Sequence, residues 1–234
     1  MPFNVKKCKV LHLGKRNSKT KYKLMGSYLS DTSEEKDLGV TFNDSFSPSI
    51  NCSKVSKAAQ GVIGMIRRNI SNRSKEAMLI LYKTLIRPHL DYCSQVWRPY
   101  LRKDVLLVER VQKRFTKMID GCTKLKYENR LNKLKLTSME DRHRRADMLQ
   151  VYKVLHDRSG LFPKNFLKLN DRLGRTNSMK LYKQRVNKEL RRNGFTSRTI
   201  DYWNALPEQV VRADSANVFK GEYDRLVGGV GRRT

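Results

Sequence analysis

Acidic side chains are scarce in this chain of 234 residues. Only 22 aspartates and glutamates stand against 50 lysines and arginines, so the formal net charge is +28. The first 30 residues contain no acidic side chain at all. A charge of this size opposes compaction by self-repulsion unless a polyanion offsets it. Nucleic acid is therefore the first candidate partner, and an anionic membrane surface is the second.

Long apolar segments are also missing. No run of apolar residues is long enough to cross a bilayer, and neither a signal peptide nor a lipidation motif is visible. This pattern weakens the membrane interpretation and leaves RNA or an RNA–DNA duplex as the expected partner. The expected location is intracellular, either nuclear or within a ribonucleoprotein, and the protein is not expected to be secreted. The oligomeric state stays open.

The cysteines lack the spacing of a metal site. Cys8, Cys52, Cys93 and Cys122 are scattered, no CxxC pair occurs, and the four histidines do not complete a zinc pattern. We therefore expect reduced thiols, no metal ligand and no cofactor in this chain.

The signatures of common enzyme classes are absent as well. The sequence has no Walker loop, no GxSxG, no HExxH and no pair of carboxylates with an evident acid–base role, so no catalytic residue is assigned. His143, within "DRHRRAD", is interpreted as an exposed residue of a basic helix rather than as a catalytic base. Asp141 and Asp147 are interpreted as partners of arginines on the same helix.

Periodicity predicts the fold class. Alternation in "FNVKKCKVLHLG", residues 3–14, indicates a β-strand, and two further extended segments before residue 43 indicate a small antiparallel β unit. From residue 53 onward the period is helical, with helices expected over 53–69, from 75 to a break at Pro88, over 104–119 and over 138–156. The prediction is an α+β protein, mainly α. Its domains are a β unit over 1–44, a helical bundle over 45–122, a basic α-rich region over 123–226 and a disordered tail over 227–234.

Four basic residues form a stripe on the helix predicted over 104–119. They fall at positions i, i+3, i+4 and i+7, well separated on the helix from the apolar Val108, Val111, Phe115 and Met118. Such a stripe can lie along a phosphate backbone, or it can be an ordinary solvated face, and the sequence leaves both interpretations open. The four residues are Arg110, Lys113, Arg114 and Lys117.

The helix over 53–69 carries a different surface. Opposite a core predicted at Val55, Ala59, Val62 and Ile66, it places two glycines beside glutamine and basic side chains. Each glycine in a helix costs about 1 kcal/mol relative to alanine, so it calls for a reason. Close approach of bare backbone to a nucleic-acid minor groove is one reason, and close packing of a neighbouring helix is the other. The residues of this surface are Lys57, Gln60, Gly61, Gly64, Arg67 and Arg68.

Two tryptophans could stack on nucleic-acid bases. Trp97 ends an apolar helix, and Trp203 lies in the amphipathic segment "WNALPEQVV". Tryptophan in such positions is more often part of a core, and we assign both to the core.

Several segments, taken in order, resemble a known family. The ordered set resembles the C-terminal part of reverse transcriptases encoded by non-LTR (LINE-type, jockey-like) retrotransposons, from about Phe3 to Leu226. The segments that carry the resemblance are "FNVKKCKVLHLG", "EEKDLGVTF", "RPHLDYCSQVWRPY", "VERVQKRFTKMI", "TSMEDRHRRADMLQVYKVLH" and "DYWNALPEQVV".

The resemblance implies a role for each region. The first strand would be the end of the polymerase palm, with its sheet partners in a part of the polymerase that this chain lacks. Residues 45–122 would be the thumb, which holds the template–primer duplex, and residues 123–226 would be a C-terminal extension. The hairpin region would be a primer grip, whose residues here are Lys21, Tyr22, Lys23, Leu24 and Gly26.

One departure from the family bears on activity. The family's metal-binding aspartates, which hold Mg²⁺ for polymerisation, lie upstream of the segments matched here, and no two adjacent aspartates occur in this sequence. We therefore expect a truncated RNA-directed DNA polymerase that binds nucleic acid and is not an enzyme on its own. Two alternatives stay open: a complementing subunit that needs a palm and fingers fragment in trans, and a non-functional transposon remnant.

Overall fold

The computed structural model describes residues 4–14, 16–156, 160, 167–170 and 177–230. The fold class is confirmed: the chain is mixed α+β, with 55% helix and 10% strand, and small sheets at the N-terminus precede the helices. The chain divides into two compact units. The first unit contains the described residues up to Cys93 and the segment Trp97–Leu134, and the second contains Ser94–Val96 and the described residues from Lys135 onward.

Six short strands lie in the first unit and form three two-stranded pairs. Their bounds are β1 Lys9–Leu11, β2 Lys23–Leu24, β3 Ser27–Tyr28, β4 Ser30–Thr32, β5 Glu34–Asp37 and β6 Val40–Asn43. The pairs β2–β3 and β5–β6 are antiparallel hairpins, as expected, whereas β1 and β4 are parallel.

The partner of the first strand lies within this chain. The resemblance places its partners in a part of the polymerase that this chain lacks, but β4 pairs with β1 in the register Lys9↔Ser30 to Leu11↔Thr32. The β2–β3 hairpin lies in the connection between them, and β4 runs in the same direction as β1. The sequence of β4, "SDT", has no apolar alternation, and this is why the pairing could not be predicted.

The helices follow in both units. Their bounds are α1 Ser49–Asn69, α2 Lys75–Leu81, α3 Arg87–Asp91, α4 Ser94–Trp97, α5 Arg102–Thr116, α6 Tyr127–Leu134, α7 Met139–Leu155, α8 Glu189–Arg192, α9 Phe195–Arg198, α10 Ile200–Asn204, α11 Glu208–Val211 and α12 Ala216–Val230. The expected break at Pro88 takes the form of a π-helical turn, Tyr82–Ile86, immediately before α3. Proline has no N–H to donate, so the hydrogen-bond ladder changes its spacing there. No helix in the described residues is both long and apolar enough to cross a membrane.

The core of the first unit forms where α1 packs on α5. On α5, Val108, Val111 and Phe115 are buried as expected. On α1 the buried stripe is rotated from the expected one: Ala59 and Ile66 are buried, but Val55 and Val62 are only partly covered, and the other buried positions are Asn51, Cys52, Ser56 and Ile63. The β5–β6 hairpin packs on the same helix, with the buried N–H of Thr41 donating to Oδ1 of Asn51 at 3.0 Å.

The core of the second unit is aromatic. Phe219 of α12 stacks on Tyr152 of α7 and on Trp203 of α10, with ring centroids 4.6 and 6.1 Å apart. Trp203 is fully buried, and in the first unit Trp97 is 3% exposed, so both tryptophans are core residues as expected. Ser138 caps α7 by accepting a hydrogen bond from the N–H of Asp141 at 3.1 Å.

His143 is not a surface residue. It is only 2% exposed, because it lies at four-residue intervals with Met139, Asp147 and Val151 on the buried side of α7. The carboxylate of Asp147 also differs from expectation, since the arginine that it binds, Arg198, lies 51 residues away.

The predicted domain boundaries at 44 and 122 stay predictions. The first compact unit extends to Leu134 and holds the β hairpins together with the helices that follow them, and β6 contacts α1 within it. The last helix continues to Val230, so residues 227–230 of the predicted tail are helical, and residues 231–234 lie outside the described residues. Extending a formed helix through Gly228 and Gly229 costs only about 1 kcal/mol for each glycine, which a helix anchored in a core tolerates.

Candidate nucleic-acid interface

The two surfaces selected from the sequence lie on helices that pack against each other. We call Lys57, Gln60, Gly61, Gly64, Arg67 and Arg68 the α1 face, and Arg110, Lys113, Arg114 and Lys117 the α5 stripe. The two sets meet at one contact, in which Nη1 of Arg114 donates a hydrogen bond to Oε1 of Gln60 at 2.6 Å. Residues from both helices therefore belong to one continuous surface of the first unit.

The α1 face is open. Lys57, Gly61, Arg67 and Arg68 are exposed, and Gln60 and Gly64 are partly covered. These residues fall within a sector of about 120° on the helix, opposite its buried side. The face combines bare backbone, one amide side chain and three cations.

The structure bears directly on the two glycines. A methyl group placed on Gly61 would meet no atom of the described residues within 4 Å, and one placed on Gly64 would meet only the guanidinium of Arg68 at 3.5 Å. Close packing of a neighbouring helix is one of the two possible reasons for these glycines. The structure excludes it, because no other helix of the described residues lies against them. The backbone at these positions is accessible from outside.

Lys113 of the α5 stripe contacts an aromatic ring. Arg110, Arg114 and Lys117 are exposed, whereas Lys113 is partly covered and holds its Nζ 4.9 Å from the ring centroid of Tyr127. An ammonium group over an aromatic face is attracted by the ring quadrupole, typically by about 0.5–1 kcal/mol at exposed sites. This contact restricts the lysine while leaving its donors available.

Within the described residues these cations have no acidic partner. In the part of the chain that the structure describes, none of the seven basic residues of the α1 face and the α5 stripe takes part in an ion pair. Elsewhere in the same unit, Lys9 and Lys54 are paired with glutamates. The positive charge of this surface is therefore uncompensated within the described residues.

Sequence reasoning missed the helix that supports the α5 stripe. Tyr127, at the start of α6, donates its hydroxyl proton to the buried carboxylate of Glu109 and accepts a hydrogen bond from Nε2 of Gln112 at 2.8 Å. Gln112 in turn accepts a hydrogen bond from the hydroxyl of the buried Tyr82. This chain of hydrogen bonds connects α6, α5 and the π-helical turn, and it fixes the ring on which Lys113 rests.

The tyrosine in this chain stays protonated. Burial raises the pKa of Tyr127 far above its ordinary value, and the hydrogen bond to Glu109 raises the pKa further. The hydroxyl is therefore a permanent donor at physiological pH, as the neighbouring carboxylate requires.

Arg130 closes the C-terminal end of α5. It is only 6% exposed, and its guanidinium donates to the backbone oxygens of Leu125 at 2.8 Å and Lys113 at 3.3 Å, and to the hydroxyl of Thr116 at 3.2 Å. Cations that bind the last carbonyls of a helix stabilise it. The segment "YENRLNKL" places Tyr127, Arg130 and Leu134 at intervals of three and four, and this signal could have identified α6 from the sequence.

The residues of the predicted primer-grip region form the β2–β3 hairpin and its approach. Lys21, Tyr22, Lys23 and Gly26 are exposed, and Leu24 is partly covered. Met25 and Gly26 form the two-residue turn with positive φ at both positions, 50° and 80°, the geometry that hairpins favour. Lys23 and the exposed Tyr28 face each other across the strands, with Nζ 4.4 Å from the ring centroid. No hydrogen bond or ion pair among the described residues joins this hairpin to α1 or α5.

No group of three or more histidine, cysteine, aspartate or glutamate side chains in the described residues is arranged to hold a metal ion. Comparison of the chain with models of protein families, with curated proteins and with solved structures gives no match in any of the three. The chemistry of the surface itself therefore carries the functional argument.

Proposed function

We propose that this chain binds an RNA–DNA or RNA duplex across the α1 face and the α5 stripe. The observation that carries the proposal is the contact between Arg114 and Gln60, because it makes one surface of two helix faces that were selected separately from the sequence. In this role the first unit acts as the thumb of a reverse transcriptase of the non-LTR type, which the sequence resembles.

The α5 stripe would follow the phosphate backbone. Its four cations succeed one another along one side of the helix, and phosphate contacts of this kind supply affinity without reading sequence. With the three cations of the α1 face, as many as seven phosphates could be neutralised. Affinity would then fall steeply with salt, with a logarithmic slope of about −6 at most.

The α1 face would lie over the minor groove. The minor groove of an A-form duplex is wide and shallow and displays hydroxyls and base edges, so a helix with exposed backbone can approach it closely. Gly61 and Gly64 leave the backbone bare, and the side-chain amide of Gln60 has its N–H groups available beside them.

The β2–β3 hairpin would add a contact to one strand. Tyr22, Met25 and Tyr28 are 54%, 69% and 64% exposed, an unusual concentration of large side chains on the hairpin and the residue before it, a region that also carries lysines. Aromatic side chains beside cations are suited to stacking on bases and holding phosphates. We propose this hairpin as the primer-contacting element.

The proposal covers binding and does not extend to polymerisation by this chain alone. Polymerisation of this family's type uses paired carboxylates to hold Mg²⁺, and the sequence contains no adjacent aspartates.

An electrophoretic shift titration tests the proposal. The full chain is titrated into a labelled RNA–DNA duplex at increasing salt concentrations, with a second duplex of unrelated sequence in parallel. We expect binding at low salt that weakens steeply as salt rises and that differs little between the two sequences. Absence of detectable binding at low salt would refute the proposal.

A further inference from the structure

A second basic site lies in the other unit. The segment that begins at Lys183, together with helices α8 to α10, lines an open cavity of about 550 Å³. Sites for small molecules and cofactors commonly measure about 300–1,000 Å³, so this cavity has room for a ligand considerably larger than a simple ion. No residue of this region is a candidate site residue from the sequence alone.

Four cations line the cavity, and two of them are already neutralised. Lys183 binds the carboxylate of Asp201 at 2.6 Å. Arg198 binds both carboxylate oxygens of Asp147 at 2.9 Å.

Arg198 belongs to the wall and is not free to bind a ligand. Its guanidinium also donates to the backbone oxygens of Gln95 at 2.8 Å and Asn193 at 3.1 Å, and its side chain is only 12% exposed. An arginine held by this many acceptors has little capacity left for another anion. Its role is to fix the cavity's shape.

The remaining two cations, Arg185 and Arg192, are exposed and have no ion-pair partner within the described residues. The cavity therefore presents two uncompensated guanidinium groups. Guanidinium groups bind phosphate oxygens through two parallel hydrogen bonds, which makes a phosphate the fitting anion.

The cavity is also lined by apolar and hydroxyl side chains. Val186 and Ile200 contribute apolar surface, and the hydroxyl of Ser197 lines the cavity without a hydrogen-bond partner in the described part of the chain. An inorganic phosphate would leave this apolar surface empty. A ligand that combines a phosphate with a flat, largely apolar group would contact both the two arginines and the apolar surface.

We infer that the cavity binds a phosphorylated nucleoside. Arg185 and Arg192 hold its phosphate, and its base lies against Val186 and Ile200. The same chemistry is presented by a free mononucleotide and by one nucleotide of an RNA single strand. The inference is independent of the duplex-binding function, because its residues all lie in the second unit.

Isothermal titration calorimetry of the full chain tests the inference with four probes: AMP, inorganic phosphate, a short RNA single strand, and an abasic strand with the same backbone. The variant is Arg185→Gln with Arg192→Gln. The control is Lys188→Gln with Arg225→Gln, which removes the same charge from exposed positions that do not line the cavity. Circular dichroism verifies that both variants are folded.

We expect the RNA strand to bind more tightly than the abasic strand, and the cavity variant to weaken its binding by about tenfold or more while the control changes little. If AMP also binds, more tightly than inorganic phosphate does, the site accepts free nucleotides. If only the RNA strand binds, the ligand is a nucleotide within a strand. Equal binding of the strand and the abasic strand would overturn the inference. So would a cavity variant that binds like the control.

A parallel titration with RNA–DNA duplex separates this inference from the proposed function. If the cavity is not a site, the cavity variant leaves both duplex and strand binding unchanged. If the α1 face and α5 stripe do not bind duplex, the duplex titration fails while the strand still responds to the loss of Arg185 and Arg192.

Discussion

Arg114 of α5 and Gln60 of α1 are joined by a hydrogen bond of 2.6 Å between Nη1 and Oε1. The bond uses only one of the five donors of the guanidinium, so the remaining donors can reach a phosphate. It also orients the amide of Gln60, whose N–H groups are left to point away from the arginine. A single contact thus prepares both side chains for a ligand that lies across the two helices.

Charge reversal on the α5 stripe should weaken binding of every duplex alike. We expect Lys113→Glu with Arg114→Glu to reduce affinity by roughly tenfold or more and to reduce the salt slope by about two units, because two phosphate contacts are lost. Electrophoretic shift titrations with two unrelated duplexes measure both quantities.

The matched control for this variant is Lys36→Glu with Lys83→Glu. These lysines are exposed and lie outside the α1 face and the α5 stripe. Their substitution changes the net charge by the same amount as the stripe variant. If the control weakens binding as much as the stripe variant, the effect is one of overall charge, and the α5 stripe has no special role.

Alanine at Gly61 and Gly64 should change stability and binding in opposite directions. The added methyl group at Gly61 meets no atom within 4 Å in the described residues, so each substitution should raise the free energy of unfolding by up to about 1 kcal/mol. Duplex affinity should fall, because the methyl groups keep the groove away from the backbone. Chemical denaturation measures the change in stability, and electrophoretic shift titration measures the change in duplex affinity.

Gly221→Ala in α12 provides the control for the glycine variants. Its added methyl group would reach only the end of Arg225, at 4.0 Å, so it should give a similar gain in stability without any loss of duplex affinity. Retention of full duplex affinity in the Gly61→Ala, Gly64→Ala variant would exclude backbone approach at the α1 face.

The buried ion pair of the second unit should be costly to break from either side. Side-chain exposure is 12% for Arg198 and 1% for Asp147, so Arg198→Met leaves a buried carboxylate without its arginine. We expect a loss of about 3–5 kcal/mol in the free energy of unfolding, measured by urea denaturation. Asp147→Asn should cost a comparable amount, and the double variant less than the sum.

An exposed ion pair serves as the comparison for the buried pair of Arg198 and Asp147. Arg225 pairs with Glu222 on α12, but the arginine side chain is 74% exposed, so Arg225→Met should cost no more than about 1 kcal/mol. Equal losses for Arg198→Met and Arg225→Met would mean that burial does not govern the strength of these pairs.

Stability should decline in alkaline solution through Cys52. Burial, together with the nearby charge of Asp104, raises the pKa of this thiol from 9.0 to about 12. Because the folded state keeps the proton that the unfolded chain loses, the thiol's contribution is complete below pH 9 and is lost as the pH rises from 9 toward 12. Its share of the slope is at most about 1.4 kcal/mol per pH unit.

Cys52→Ala should make the decline shallower between pH 9 and 10, below the range in which the half-buried Tyr127 contributes. Urea denaturation at several values of pH measures the slope directly. An alkaline slope unchanged from the wild type would contradict the assignment to this thiol.

The helical part of the fold was largely predictable because its signals are local. Periodicity located α1, α5 and α7, the cap at Ser138 began α7 as expected, and the break near Pro88 followed from the missing N–H. What could not be predicted depends on contacts between distant residues. The pairing of Asp147 with Arg198 and the parallel pairing of β1 with β4 leave no trace at fixed spacing in the sequence.

The candidate surface shows the same division. Helical spacing selected the α1 face and the α5 stripe separately, but their union depends on the packing of α1 against α5, which no local pattern encodes. The supporting role of Tyr127 was likewise hidden, because a tyrosine eighteen residues after Glu109 gives no sign of reaching its carboxylate.

The hydrogen-bonded chain of Tyr82, Gln112, Tyr127 and Glu109 has a consequence for sequence variation. Replacing one member removes a hydrogen bond from a neighbouring polar side chain, whereas replacing several together with apolar residues of similar shape can be nearly neutral. Related sequences should therefore substitute these four positions as a set. A relative that has lost the glutamate should also have lost the tyrosine that donates to it, even though the two residues lie on different helices.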